Sequence, residues 1–115
     1  MVPFDVVFRG FSTSEAVYNA VYDHVQKLEE FFPRITNCRV SVSSPHRHRH
    51  KGRVYHVQIV LNVPGRRIVI AREPEKDSAH EDVYIALRDA FRSALRQLED
   101  YLEIIRGNVK PVRVS

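Results

Sequence analysis

The sequence predicts an α+β fold of order β-α-β-β-β-α, a four-stranded sheet with two helices packed on one face. Three observations carry that reading. In the stretch from Val54 to Arg72, Val57, Ile59, Leu61 and Val63 recur at every second residue, the period of one face of a strand. Pro64-Gly65 breaks the pattern and Arg67 to Ala71 resumes it, so the segment reads as two strands joined by a tight turn. Two longer segments instead space their apolar residues by three and four, the signature of amphipathic helices. Each helix then has one apolar stripe and the strands one clearly apolar face, so both helices most simply cover the same face and leave the other open.

The first strand is Phe4 to Arg9, with Phe4, Val6 and Phe8 on one side, and Gly10 ends it. Ser12 followed by Glu15 matches a capping box, which places a helix start there. That helix runs to about Phe31 on the stripe Val17, Val21, Val25, Leu28 and Phe32, with Glu15, Asp23, Lys27 and Glu30 outward, and Pro33 stops it. Around Arg39 to Ser43, Cys38, Val40 and Val42 alternate with polar residues, so Cys38 is expected in the core. Pro45 to Lys51 has no apolar residue and reads as a loop or a frayed strand end, and Glu73 to Asp77 as a polar connection. The last helix is expected from about His80 to Ile105 on Val83, Leu87, Phe91, Ala94, Leu95, Leu98, Leu102 and Ile105, closed by Gly107. The β-α-β unit at the start implies a right-handed crossover.

A length of 115 residues fits one domain, read as residues 1–107, with 108–115 as a flexible tail or the start of a linker. No apolar run approaches the roughly 18 residues of a membrane span, and the N-terminus lacks a signal-peptide pattern. A single cysteine excludes an internal disulfide and fits a reducing, cytoplasmic setting.

Net charge is +4, but its distribution says more. From Phe31 to Arg72 there are nine Lys/Arg residues and no Asp or Glu, while the remainder sets nine basic residues against all 14 acidic ones. Such a run can be a solvated face. Spread over three strands and their loops, it is instead expected to form one positive surface of the kind that binds a phosphate backbone.

No glycine-rich phosphate loop, HExxH helix or nucleophile with a local partner is present, so no enzyme activity and no cofactor are expected. His46-Arg47-His48-Arg49-His50-Lys51 admits three readings. In an extended chain His46, His48 and His50 share one face and suit a metal, with His56 as a possible fourth ligand. The interleaved Arg47, Arg49 and Lys51 oppose a dication, and the region has no carboxylate. The alternatives are a solvated basic loop and a nucleic-acid contact, where histidines stack on bases and donate to phosphates. Arg88, Arg92 and Arg96 form a ladder on the last helix, either covering the apolar stripe with their stems and pairing with Asp89 or Glu99, or extending the basic surface. Tyr84 and Tyr101 read as packing residues.

A strand ending in Arg9-Gly10, then Lys27-Leu28-Glu29-Glu30-Phe31-Phe32-Pro33-Arg34-Ile35, then Val63-Pro64-Gly65, resembles the ribosome hibernation promoting factor and ribosome-associated inhibitor A (sigma-54 modulation protein) family. Asp82-Val83-Tyr84-Ile85-Ala86-Leu87 and Arg96-Gln97-Leu98-Glu99-Asp100-Tyr101 are similar to that family's final-helix motif. The resemblance spans roughly Phe4 to Tyr101 and rests on the order and spacing of the motifs together. It implies a fold similar to double-stranded-RNA-binding domains, and binding to ribosomal RNA of the small subunit in the channel used by mRNA and tRNA. Translation would be blocked in bacterial stress or stationary phase, without catalysis. The sequence departs from the family at Glu99, Asp100 and Glu103 and at Glu29 and Glu30, where basic residues are usual. That weakens the expected RNA grip or shifts it to the Arg/His loop at 46–53.

The residues expected to contact RNA are Arg39, Arg47, His48, Arg49, His50, Lys51, Arg53, Arg66, Arg67, Arg88 and Arg92. A metal-binding domain built on His46, His48 and His50, and a protein–protein module using the open sheet face, stand as the alternatives.

Overall fold

In the computed structural model, β1 (Phe4–Arg9) lies parallel to β2 (Asn37–Ser43), which pairs antiparallel with β5 (His56–Val63), which pairs antiparallel with β6 (Arg66–Ala71). The sheet order is therefore β1-β2-β5-β6, and α1 (Glu15–Phe31) makes the crossover between the two parallel strands. The structure describes residues 2–44, 47–48, 52–71 and 82–107, with the backbone alone at 47, 48, 52 and 53.

Register fixes which residues share a face. Phe4, Val6 and Phe8 stand opposite Cys38, Val40 and Val42, which stand opposite Leu61, Ile59 and Val57; Leu61 and Ile59 in turn face Ile68 and Ile70. This row-by-row apolar face is covered by both helices: α1 packs on β1, and α2 (Val83–Ile105) on β5 and β6, with the helices touching each other. Cys38, Val40, Val42, Ile59, Leu61, Val21, Leu87, Ala94 and Leu98 are fully buried there. Cys38 thus occupies the core position expected of it.

The caps differ from expectation in one respect. Ser14, not Ser12, is the N-cap of α1: its side chain accepts from the Val17 N–H at 3.2 Å, and Ser12 and Thr13 stay exposed ahead of the helix. Position N3 is then Val17, so no reciprocal capping box forms, and Glu15 acts only as an acid in the first turn, where the helix dipole favours it. At the other end Phe32 turns extended, its N–H still bonding the Leu28 carbonyl at 2.8 Å, and its ring is buried.

Helix α2 begins at Val83 on the N-cap Asp82, whose carboxylate accepts from the Tyr84 N–H at 2.8 Å; the earlier start near His80 lies outside the described residues. Leu95 and Ile105, placed on the stripe from spacing, are 37% and 52% exposed. At 100° per residue Leu95 sits about 80° from Leu87, on the flank of the stripe. Ile105 belongs to a last turn that overhangs the sheet, since 23 helical residues span about 34 Å and an eight-residue strand about 27 Å. Tyr101 packs as expected, buried edge-on against Phe32 with its hydroxyl donating to the Pro64 carbonyl at 2.6 Å, whereas Tyr84 is 48% exposed. At the helix end Gly107 takes φ +76° just past the C-cap Arg106.

Between β2 and β5 the chain inserts a two-stranded ribbon, β3 (Arg47–His48) paired with β4 (Gly52–Arg53). Where the sequence read a loop or frayed strand end, Arg47 stands opposite Arg53 and His48 opposite Gly52.

Candidate nucleic-acid interface

The strand residues of opposite parity to the core make the uncovered face. Read across the register, its rows are Asn37, Asn62 and Arg67; Asp5, Arg39, Val60 and Val69; Val7, Ser41, Gln58 and Ala71; and Arg9, Ser43 and His56. Among the described residues this face has three arginines and a histidine against one carboxylate. That carboxylate is neutralised locally: Arg39 Nε donates to Asp5 Oδ2 at 2.9 Å across the parallel strand pair. Both groups are well exposed, so the pair adds little stability; its effect is to offset the negative charge that Asp5 brings to the face.

The residues expected to contact RNA fall into four places. Arg39 and Arg67 lie on the open face. Arg66 has the parity of the covered face at the hairpin end, and with Arg67 it lines a depression shared with Gln97 and Asp100 of α2. Arg88 and Arg92 are exposed on α2, in the helical layer on the other side of the sheet, and Arg88 donates to Asp89 at 3.2 Å. Arg47, His48 and Arg53 belong to the ribbon, which extends from the end of the sheet where Ser43 pairs with His56. Arg49, His50 and Lys51 lie outside the described residues, as does His46 of the metal alternative. The described strand arginines of the acid-free stretch, Arg39, Arg66 and Arg67, gather on the open face and the hairpin end, while Arg88 and Arg92, which lie outside that stretch, stand on the helical layer.

Two contributors to this face are not among the residues expected to contact RNA. Arg9 and His56 meet on either side of Ser43 at the ribbon end of the open face. The signal was the alternation itself, since Arg9 is out of phase with Phe8 and His56 with Val57.

Cys38 and His24 are the described groups whose proton affinity is clearly shifted. Burial, and then the nearby Asp5 charge, push the Cys38 thiol up to about 12, so it stays protonated and inert. His24 of α1 stacks flat on Phe91 of α2, ring centres 4.7 Å apart and planes 8° apart, and burial lowers its pKa below 6.5. Among the described residues no group of three or more His, Cys, Asp or Glu side chains could hold a metal. No described helix is long and apolar enough to cross a membrane.

Residues 4–106 match the protein family described as "Sigma 54 modulation protein / S30EA ribosomal protein". No curated protein matches the chain. Among solved structures, a ribosomal subunit interface protein from Coxiella burnetii superposes with a TM-score of 0.69 at 15% identity, over 87% of this chain and 97% of that one. The N-terminal domain of Thermus thermophilus Protein Y gives a TM-score of 0.68 at 18% identity, over 88% of this chain and 99% of that one. At such identities the likeness concerns the fold, a mixed four-stranded sheet with two helices on one face.

Proposed function

Because this chain belongs to the sigma 54 modulation protein / S30EA ribosomal protein family, a ribosome-associated family, we propose that it is a non-catalytic, cytoplasmic factor that binds ribosomal RNA of the small subunit. There it occupies the path of mRNA and tRNA and silences ribosomes under stress. The observation that supports this reading is the sign of the open face. A segment with no carboxylate supplies most of its strands, and among the described residues the one acid on the face, Asp5, is held by Arg39. A face of four strands presenting Arg9, Arg39, Arg67 and His56 attracts a polyanion over the width of an RNA backbone. The ribbon residues Arg47 and Arg53, with Arg49 and Lys51 between them in sequence, extend that charge beyond the sheet.

Co-sedimentation with purified ribosomal subunits tests the proposal. The wild-type chain is expected to travel with the small subunit and to be released steeply by salt, with a log–log slope of about −0.7 to −0.9 per phosphate contacted. Replacing Arg47, Arg49, Lys51 and Arg53 by alanine is expected to reduce binding at physiological salt by tenfold or more, at roughly one lost phosphate contact per side chain. Salt-independent association, or none with small subunits, would dismiss the assignment.

A further inference from the structure

At the ribbon end of the open face, three paired residues form a row: Arg9 on β1, Ser43 on β2 and His56 on β5. Adjacent strands are about 4.8 Å apart, so Arg9 and His56 are rooted about 10 Å from each other with a short hydroxyl side chain between them. The next row is Val7, Ser41, Gln58 and Ala71. Short side chains at Ser41, Ser43 and Ala71, enclosed by the longer Arg9, His56 and Gln58, leave a depression of about 340 Å³. Among the described residues the lining has a guanidinium, an imidazole, two hydroxyls and a carboxamide, and no carboxylate. Asp5, one row further along, is engaged by Arg39.

We propose that this depression seats one phosphate of a ribonucleotide. A phosphate centred above Ser43 lies between two cationic or N–H-bearing arms, and its planar partner Arg9 can engage two of its oxygens at once. The Ser43 hydroxyl donates from below, His56 closes the far side, and Gln58 reaches the attached sugar or base. That the described lining is free of carboxylates matters as much as the donors, because a single unpaired acid there would oppose the anion at short range. The source of the phosphate rests on the ribosome reading, whereas its chemistry is common to RNA and to a free nucleotide.

Amide and side-chain NMR of the whole chain, titrated separately with a short single-stranded oligoribonucleotide, a 5′-mononucleotide and inorganic phosphate, tests the seat. Resonances of Arg9, Ser43, His56 and Gln58 are expected to move with the oligoribonucleotide. In an Arg9→Ala/His56→Gln variant its affinity should fall about tenfold and its salt slope by roughly 0.7 or more. Arg9 is exposed and His56 half-buried, so an unchanged melting temperature is expected and verifies the fold. Movement of the same residues by the mononucleotide at comparable affinity supports the seat and assigns it to a free nucleotide. Shifts confined to other residues, or a variant that binds as well as wild type, overturn it. If that happens while the wild-type chain still co-sediments with small subunits, the seat alone falls. If the seat responds but co-sedimentation fails, the ribosome assignment falls and the seat stands.

Discussion

His24 illustrates how one side chain can tie the helical layer to pH. Its imidazole lies flat on Phe91, and burial in that contact, aided by Lys27 and opposed by Asp23, lowers its affinity for a proton. The unfolded chain, with an ordinary histidine near 6.5, then binds the proton more readily than the folded one. The contribution to stability is accordingly complete above about pH 6.5 and declines as the pH falls below it. Urea midpoints measured at pH 7.5 and 5.5 should therefore drop less in His24→Phe than in wild type. Equal drops would mean that the stacked pair does not sense protons. The contact itself was not legible in the sequence: His24 lies beside the stripe of α1, and nothing in its spacing names a partner 67 residues away on another helix. Cys38 was legible, because strand alternation alone put it on the same face as Val40 and Val42, both of them buried.

At the scale of the element, the start of α1 separates two serines that look equivalent on paper. Ser12 and Ser14 both precede the apolar stripe, and Glu15 three residues after Ser12 favoured the wrong one. The backbone decides: Ser14 is the extended residue, and its oxygen meets the Val17 N–H. Ser14→Ala should lower stability by about 1 kcal/mol. Ser12→Ala, at an exposed position ahead of the helix, should change it by less than about 0.5 kcal/mol. Equal effects in chemical denaturation would return the cap to Ser12. Strand identities were readable because period-two alternation survives in β2 and β5 without interruption. The ribbon was not, since four short strand residues among histidines and arginines have no apolar face by which alternation could be recognised. Leu95 and Ile105 were misplaced on the α2 stripe for a related reason: spacing of three or four tolerates drift that a finite sheet does not.

For the molecule as a whole, the order of elements and the uncovered sheet face followed from the amphipathic pattern, while the distribution of charge over the surface did not. A count of charges along the chain is one-dimensional, whereas the open face draws every second residue from four strands in the order β1-β2-β5-β6. The folded face therefore gains Arg9 from outside the acid-free stretch and keeps Arg39 and Arg67 from within it. Arg88 and Arg92 go to the other layer. The same arrangement makes Asp5 the point where the face's potential is most easily altered. Asp5→Asn should release Arg39 and tighten oligoribonucleotide binding by up to about fivefold, the equivalent of an exposed ion pair worth about 1 kcal/mol or less. Weaker binding in a fluorescence anisotropy titration would show that Arg39 needs its partner to be held in place.

The phenol of Tyr101 and the carbonyl of Pro64, 37 residues apart, fasten the closing turns of the last helix to the tip of the β5–β6 hairpin. A tug on the chain at Gly107 would consequently unravel that helix only as far as Tyr101. The load would pass through one latch into the sheet, so that hairpin and helix yield together, as a single mechanical piece.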